Sequence, residues 1–186
     1  MSILFTAIFS GIEIIWDRKF GFLKETLVAP VSRFQLMMGR TLGGATVATT
    51  QGFIVLIIVF AFGLRLAHWS SLPLVLVFMF LIALFFTTLG TAIASVIEDM
   101  QGFPLIMNFL VMPIFFLSGA LFPLTNVPKG LKIAASVNPL AYGVDGLRGA
   151  ITGITHFGMK ADFVLLSVFI LVFLGIGTYL FSKIEI

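Results

Sequence analysis

The chain has 186 residues, of which 60% are hydrophobic and 10% charged, with a mean hydropathy of +1.17, 22 Phe and no Cys. Soluble domains carry roughly a quarter of their residues as charges, so a water-soluble enzyme or binding module is excluded, and without cysteine there is no disulfide framework. The net charge of +3 and the pI near 9.5 trace to one segment, 17–40, and read as membrane-surface and topology charge, not as a nucleic-acid footprint.

Residues 1–16 (MSILFTAIFSGIEIIW) read as a short, partial span. The pattern is not that of a signal peptide, because the basic residues follow the apolar run instead of preceding it. The segment 17–40, DRKFGFLKETLVAPVSRFQLMMGR, holds 7 of the chain's 19 acidic and basic residues. Arg18, Lys19, Lys24, Arg33 and Arg40 stand against Asp17 and Glu25. A basic cluster just past a span holds that end in the cytoplasm.

Within this segment Phe20, Leu23, Leu27 and Val31 recur at three- and four-residue spacing, which predicts one apolar stripe of a short helix on the membrane surface. Pro30 ends that helix. Ser32 then offers an N-cap, Gln35 completes a capping box, and Val31 and Leu36 take the staple positions. A new helix is expected from Arg33 to near Leu64. At 1.5 Å per residue it reaches roughly 48 Å, past a hydrocarbon core of about 30 Å, so its first turns should project into the cytoplasm. Gly39 and Gly43 form a GxxxG there, read as close packing, and Arg40 between them argues against a lipid-buried dimer seam. The whole segment is either an interfacial anchor that fixes topology or a docking element for a cytoplasmic partner.

Four further spans are expected at 43–64, 72–97, 103–122 and 163–182, each free of Asp, Glu, Lys, Arg and His, since about 20 apolar residues cross a bilayer as a helix. Alternation places 65–71 outside, 98–102 inside, 123–161 outside and the C-terminus inside with Lys183. Lys and Arg then divide six inside to five outside, so the orientation rests on the density of the 17–40 cluster. Pro113 should kink the span 103–122, and Ser118-Gly119-Ala120 permits unwinding near its outer end. Among polar residues in the spans, Thr87, Thr88, Thr91 and Ser95 read as interhelical bonding groups. Gln51 and Asn108 are candidates for lining a path.

In the outer-face segment 123–161, Asn138-Pro139 reads as an N-cap followed by proline at the first helical position. Leu140, Val144, Leu147 and Ile151 line one face of the ensuing helix. Asp145 and Arg148, three apart, are within pairing distance. The expectation is an amphipathic helix lying at the outer interface with one salt bridge.

Several function classes fall away. An ion-coupled transporter needs an ionisable group inside its spans, and the expected spans have none. His68 and His156 sit in separate loops without a carboxylate at ligand spacing, which argues against a hydrolase or a metal site. No GxxxxGK[ST] occurs, so energy for uphill transport would come from another polypeptide. A passive channel is disfavoured by the shortage of polar residues to line a pore.

Two runs carry a resemblance. GFLKETLVAPVSRFQLMMGRTLGGATVATTQG contains Gly-Phe-Leu-x-Glu and Ala-Pro-x-Ser-Arg. FLSGALFPLTNVPKGLKIAASVNPLAYGVDGLRG contains Leu-Ser-Gly-x-Leu-Phe-Pro, Asn-Pro-Leu-x-Tyr and Asp-x-x-Arg. In order and spacing they resemble the type-2 ATP-binding-cassette (ABC) exporter permeases, in particular the drug-resistance branch. The resemblance implies an all-α polytopic membrane protein in which 1–186 is a single permease domain. About five transmembrane helices would be joined by a cytoplasmic coupling helix and short outer-face helices.

It further implies two permease subunits, identical or different, around a path, and a separate cytoplasmic ABC ATPase that uses the ATP, this chain binding no cofactor itself. Gly21, Phe22, Lys24 and Glu25 would sit in the coupling helix, and Pro30, Ser32 and Arg33 would form its elbow. Tyr142, Asp145 and Arg148 would lie in helices that dip into the outer leaflet, where they gate the path or touch cargo. Set against the family pattern, residue 1 falls inside the second of six spans. A fragment, a misassigned start and a truncated paralogue are the three readings of that departure. The expected function is efflux of a drug-like, lipid or other amphipathic cargo from the cell membrane. A polysaccharide or glycolipid exporter of the same family and a non-transporting scaffold are the alternatives.

Overall fold

A chain this apolar must satisfy its backbone polar groups internally once in a bilayer, and helices do so segment by segment. The structure, a computed structural model, describes residues 1–23, 25, 30–63, 69–121 and 128–184. Every regular element among them is helical: α1 (Ser2–Phe9), α2 (Ile12–Phe20), α3 (Arg33–Ala61), a 3-10 turn (Trp69–Ser71), α4 (Leu72–Ala94), α5 (Gly102–Phe116), α6 (Lys129–Val137), α7 (Pro139–Thr152) and α8 (Met159–Ser182). The all-α, polytopic expectation holds.

Ser10 and Gly11 keep helical dihedrals between α1 and α2, so the two run nearly end to end. Gly21, at φ 84°, stops α2 in the left-handed conformation that glycine adopts without steric cost. The stripe expected on one helix is therefore split. Phe20 is the exposed last residue of α2, Leu23 is buried beyond the break, Val31 is exposed, and Leu27 lies outside the described residues.

The restart at Ser32 is as expected. Its hydroxyl accepts from the Gln35 backbone N–H at 3.2 Å, and the Gln35 side chain accepts from the Ser32 backbone N–H at 2.9 Å. α3 runs 29 residues, roughly 44 Å at 1.5 Å per residue, and ends at Ala61, short of the expected Leu64, which lies outside the described residues. Ser32→Ala should cost about 1 kcal/mol of local stability. It should be read as faster hydrogen exchange confined to the first turn of α3, and unchanged exchange there would show that the cap contributes nothing.

α4 is the hub, packed against α1, α3, α7 and α8. Phe78, Phe85 and Phe86 are fully buried on it, and Phe85 meets Phe86 and Phe173 edge-on at 4.9 and 5.3 Å, an arrangement aromatic rings favour. Small residues admit the neighbours. At the α1–α2 junction Gly11 lies on Gly90 of α4, whose Cα in turn faces the Ile8 carbonyl, so that a Cβ on either glycine would strike main chain. On α3 the buried stripe is Met37, Thr41, Ala45, Ala48, Gly52 and Leu56. Among the described residues no other element comes within 4 Å of where a Cβ on Gly39 or Gly43 would stand, so the expected GxxxG packing is not made among them.

Among the described residues three helical runs are long and apolar enough to cross a bilayer: Arg33–Ala61, Trp69–Ala94 and Met159–Ser182. The expected span at 103–122 is shorter. α5 holds 15 residues, roughly 23 Å against a core of about 30 Å. It buries Phe103, Met107, Val111 and Phe115 at four-residue spacing and exposes Leu105 and Phe109 on the opposite side. Pro113, which has no N–H to donate, lies inside the helix, which ends at Phe116. Ser118 folds its hydroxyl back to the Phe115 carbonyl at 2.6 Å, and Gly119 takes φ 76°. The unwinding expected at Ser118-Gly119-Ala120 is present. The expected turn 65–71 is described only from Trp69, and 122–127 lie outside the described residues.

Candidate coupling and outer-face sites

At one end of the bundle, α2 stops and α3 begins. Gly21 is half-buried at the break, Phe22 and Glu25 are exposed, and Lys24 lies outside the described residues. Pro30, Val31 and Ser32 are exposed, as is Phe34 one turn into α3. Arg33 is half-buried, with one terminal nitrogen buried and without a partner among the described residues.

Two adjacent residues of α2 tie this end together. Asp17 forms a hydrogen-bonded ion pair with Arg40 of α3. Arg18 donates to the Ser95 carbonyl at the end of α4 at 2.8 Å and lies 3.6 Å from Glu98 in the α4–α5 turn. Three of the seven charged residues of 17–40, Asp17, Arg18 and Arg40, thus bridge helices, while Glu25 and Lys19 remain outward.

At the opposite end, α7 is buried between α4 and α8 and does not lie on the surface. The expected apolar face is also rotated. Leu140 is buried, but Val144, Leu147 and Ile151 are only half-buried, while Tyr142, Gly143, Asp145, Gly146 and Gly149 are inside. Glycine is the cause. Phe78 of α4 occupies the space a side chain on Gly146 would need, and Ile82 does the same at Gly143.

Asn138 caps α7 as expected, accepting from the Leu140 N–H at 3.0 Å, and its amide also donates to the Ile114 carbonyl of α5 at 2.6 Å. The Asp145–Arg148 salt bridge does not form. Asp145 accepts the backbone N–H groups of His156 and Phe157 at 2.7 and 2.8 Å, and Arg148 donates to the Gly119 carbonyl at 2.6 Å. Both are drawn to backbone groups that irregular chain leaves without helical partners. α7 and its cap thereby hold the last turn of α5 at Ile114, the unwound chain beyond it at Gly119, and the loop before α8.

Tyr142 donates to the Ser136 carbonyl at 2.5 Å. Burial, and then the charge of Asp162, raise its phenol above the ordinary tyrosine value, so it stays a neutral donor. Asp162 was not singled out from the sequence. It lies in the first turn of α8, fully buried with its carboxyl group against that of Asp145, and neither of its oxygens meets an N–H or hydroxyl donor among the described residues. Its signal was a lone acid bordering an apolar run, an expensive group to bury.

Gln51 and Asn108 are both exposed, on α3 and α5. Thr88 and Ser95 return their hydroxyls to their own helix, at the Leu84 and Thr91 carbonyls. A recess of about 710 Å³ opens between α3, α4 and the start of α8, lined by Thr46, Thr49, Thr50, Phe53, Phe80 and Phe163 among others. Its threonine hydroxyls bond carbonyls one turn back in α3, which leaves an aromatic and aliphatic wall. Among the described residues no three His, Cys, Asp or Glu side chains gather as a metal set.

Residues 1–152 match the family model described as ABC-2 type transporter. The chain is 31% identical over 140 residues to the transport permease ycf38 of Cyanophora paradoxa, covering 75% of this chain and 48% of that protein. It is 28% identical over 152 residues to the inner membrane transport permease YadH of Escherichia coli, covering 81% and 58%. Identity is 29% over 139 residues with the multidrug ABC transporter permease YbhR of the same organism, covering 74% and 37%. The chain thus spans about half the length of the curated relatives it matches. With a family model matched over most of its residues, the chain belongs to the ABC-2 type transporter membrane family.

Proposed function

We propose that the chain is the transmembrane part of an ATP-driven exporter whose energy comes from a separate ABC ATPase docked on residues 21–33, the ATP being bound and used by that partner alone. A second permease subunit, identical or different, completes the path. The observation that carries this reading is the elbow at the base of α3. It is a capped restart at Ser32 with Phe20, Val31 and Phe34 exposed around it, tied to the bundle by the Asp17–Arg40 pair. The exposed residues at this restart lie beside the pair that joins α2 to α3, so a push received there would pass to both helices. On this reading the end carrying 17–40 and Lys183 faces the cytoplasm of a cell-membrane protein.

The cargo is proposed to be drug-like or otherwise amphipathic. The α3–α4 recess offers aromatic wall with satisfied hydroxyls, and one relative is named a multidrug permease. α7, with Tyr142, Asp145 and Arg148, would act as the closing element of the outer end. The three work there through the backbone they hold, and not by touching cargo.

Glu25→Arg and Pro30→Ala should weaken co-purification of the ATPase by about tenfold, the loss of roughly 1.4 kcal/mol at the interface, while thermal unfolding of the bundle stays put. Unchanged co-purification in both variants would overturn the docking role of this segment.

A further inference from the structure

At the end of the bundle that carries residues 17–40, a recess of about 380 Å³ lies between α2, the end of α4 and the end of α8. Its polar wall is Arg18, Ser95, Glu98 and Lys183, and its apolar wall includes Val96 and Ile184. Among its described lining side chains two are cations, Arg18 and Lys183, and one is a carboxylate, Glu98. Arg18 spends one nitrogen on the Ser95 carbonyl and faces Glu98 at 3.6 Å, yet its Nε is buried with no partner among the described residues. Glu98 is largely exposed, a weak partner at that distance. The Lys183 ammonium lies 4.6 Å from the Tyr179 ring centroid, which engages its charge but accepts no ordinary hydrogen bond. Among the described residues, Asp99 of the α4–α5 turn is occupied by the backbone N–H groups of Gln101 and Gly102 at 3.0 and 2.9 Å.

A buried arginine donor without an acceptor calls for one, because an unsatisfied buried polar group is costly. The acceptor that a bilayer supplies at this depth is the phosphate of a lipid headgroup. Basic recesses between helices at the membrane–water boundary suit such groups, and an apolar wall beside the cations suits the start of the acyl chains. We infer that this recess binds the phosphate of a phospholipid headgroup, held between Arg18 and Lys183. Arg18 also holds α4 through Ser95 and lies two residues from the end of α2, so the bound lipid would brace the junction next to the elbow. Nothing in this site depends on an ATPase partner.

The test is a lipid titration of the full chain in mild detergent, read by native mass spectrometry, with phosphatidylglycerol, diacylglycerol and inorganic phosphate as probes. One phosphatidylglycerol should bind more tightly than diacylglycerol, which lacks the phosphate. Lys183→Gln should lower that affinity about fivefold, the effect of one cation at a membrane surface, and Arg18→Gln should lower it at least as much. Lys19→Gln, removing an exposed cation outside the recess, should leave it unchanged. Should Arg18→Gln fail to fold, Lys183→Gln decides. Equal binding of diacylglycerol, or equal losses in Lys19→Gln and Lys183→Gln, would overturn the proposal. Displacement of the lipid by millimolar inorganic phosphate would overturn the lipid as the source of the anion.

Discussion

Gly90→Val should abolish the folded bundle. At Gly90 a side chain would meet the Ile8 carbonyl, and at the facing Gly11 it would meet the Gly90 carbonyl. The obstacles on both sides are main chain, so no rotamer change relieves the clash, and the α1–α2 rod must move off α4. That movement opens the core around Leu4, Ile8 and Phe86. Overpacking typically costs 1–3 kcal/mol, and a β-branched residue against fixed backbone should cost at least about 3, enough to unfold a marginally stable protein. Gly39→Val is the control, since Gly39 is exposed with open space around it, and should shift stability by less than about 0.5 kcal/mol. Size-exclusion profiles of fluorescent fusions would read both. A monodisperse Gly90→Val protein with unchanged thermal unfolding would refute the close crossing.

Asp145→Ala should release the loop that leads into α8. Two backbone N–H groups, of His156 and Phe157, share one oxygen of this buried carboxylate, and leaving a buried donor unsatisfied costs about 1–3 kcal/mol. Hydrogen exchange at these two amides should accelerate about 30-fold, the equivalent of roughly 2 kcal/mol. Asp145→Asn, which keeps a carbonyl oxygen, should accelerate it much less. Arg148→Met should free the Gly119 carbonyl and loosen the end of α5 without touching those amides. Equal exchange in Asp145→Ala and the parent chain would mean that the carboxylate does not hold the loop.

Local signals were legible wherever the chemistry is short-range. Ser32 and Gln35 announced their capping box, Asn138-Pro139 announced the start of α7, and Ser118-Gly119-Ala120 announced the unwinding beyond α5, whose end at Phe116 falls short of the span expected to 122. What depends on distant partners was not. Spacing alone offered Asp145 to Arg148, but the folded chain brings unpaired backbone groups from α5 and the α7–α8 loop within reach, and those win. The buried face of α7 follows from Phe78 and Ile82 filling the space beside its glycines, and an apolar-periodicity reading scores glycine as empty. Gly21 was read as part of a coupling motif, not as the left-handed stop that splits the surface stripe. The ties from Asp17 to Arg40 and from Arg18 to Ser95 cross 23 and 77 residues of sequence, beyond any pattern within a window.

The central claim is that residues 21–33 receive an ATPase. The chain has no native cysteine, so Glu25→Cys places one reactive thiol at an exposed position of the proposed docking segment, and Thr152→Cys places one at the far end of α7 as a control. Each variant would be cross-linked in native membranes through a thiol-reactive photoprobe, purified on an affinity tag, and its adducts identified by mass spectrometry. The account predicts a single major adduct from position 25, a protein bearing a P-loop, absent from position 152. No P-loop protein at position 25, or the same adduct from both positions, would contradict it.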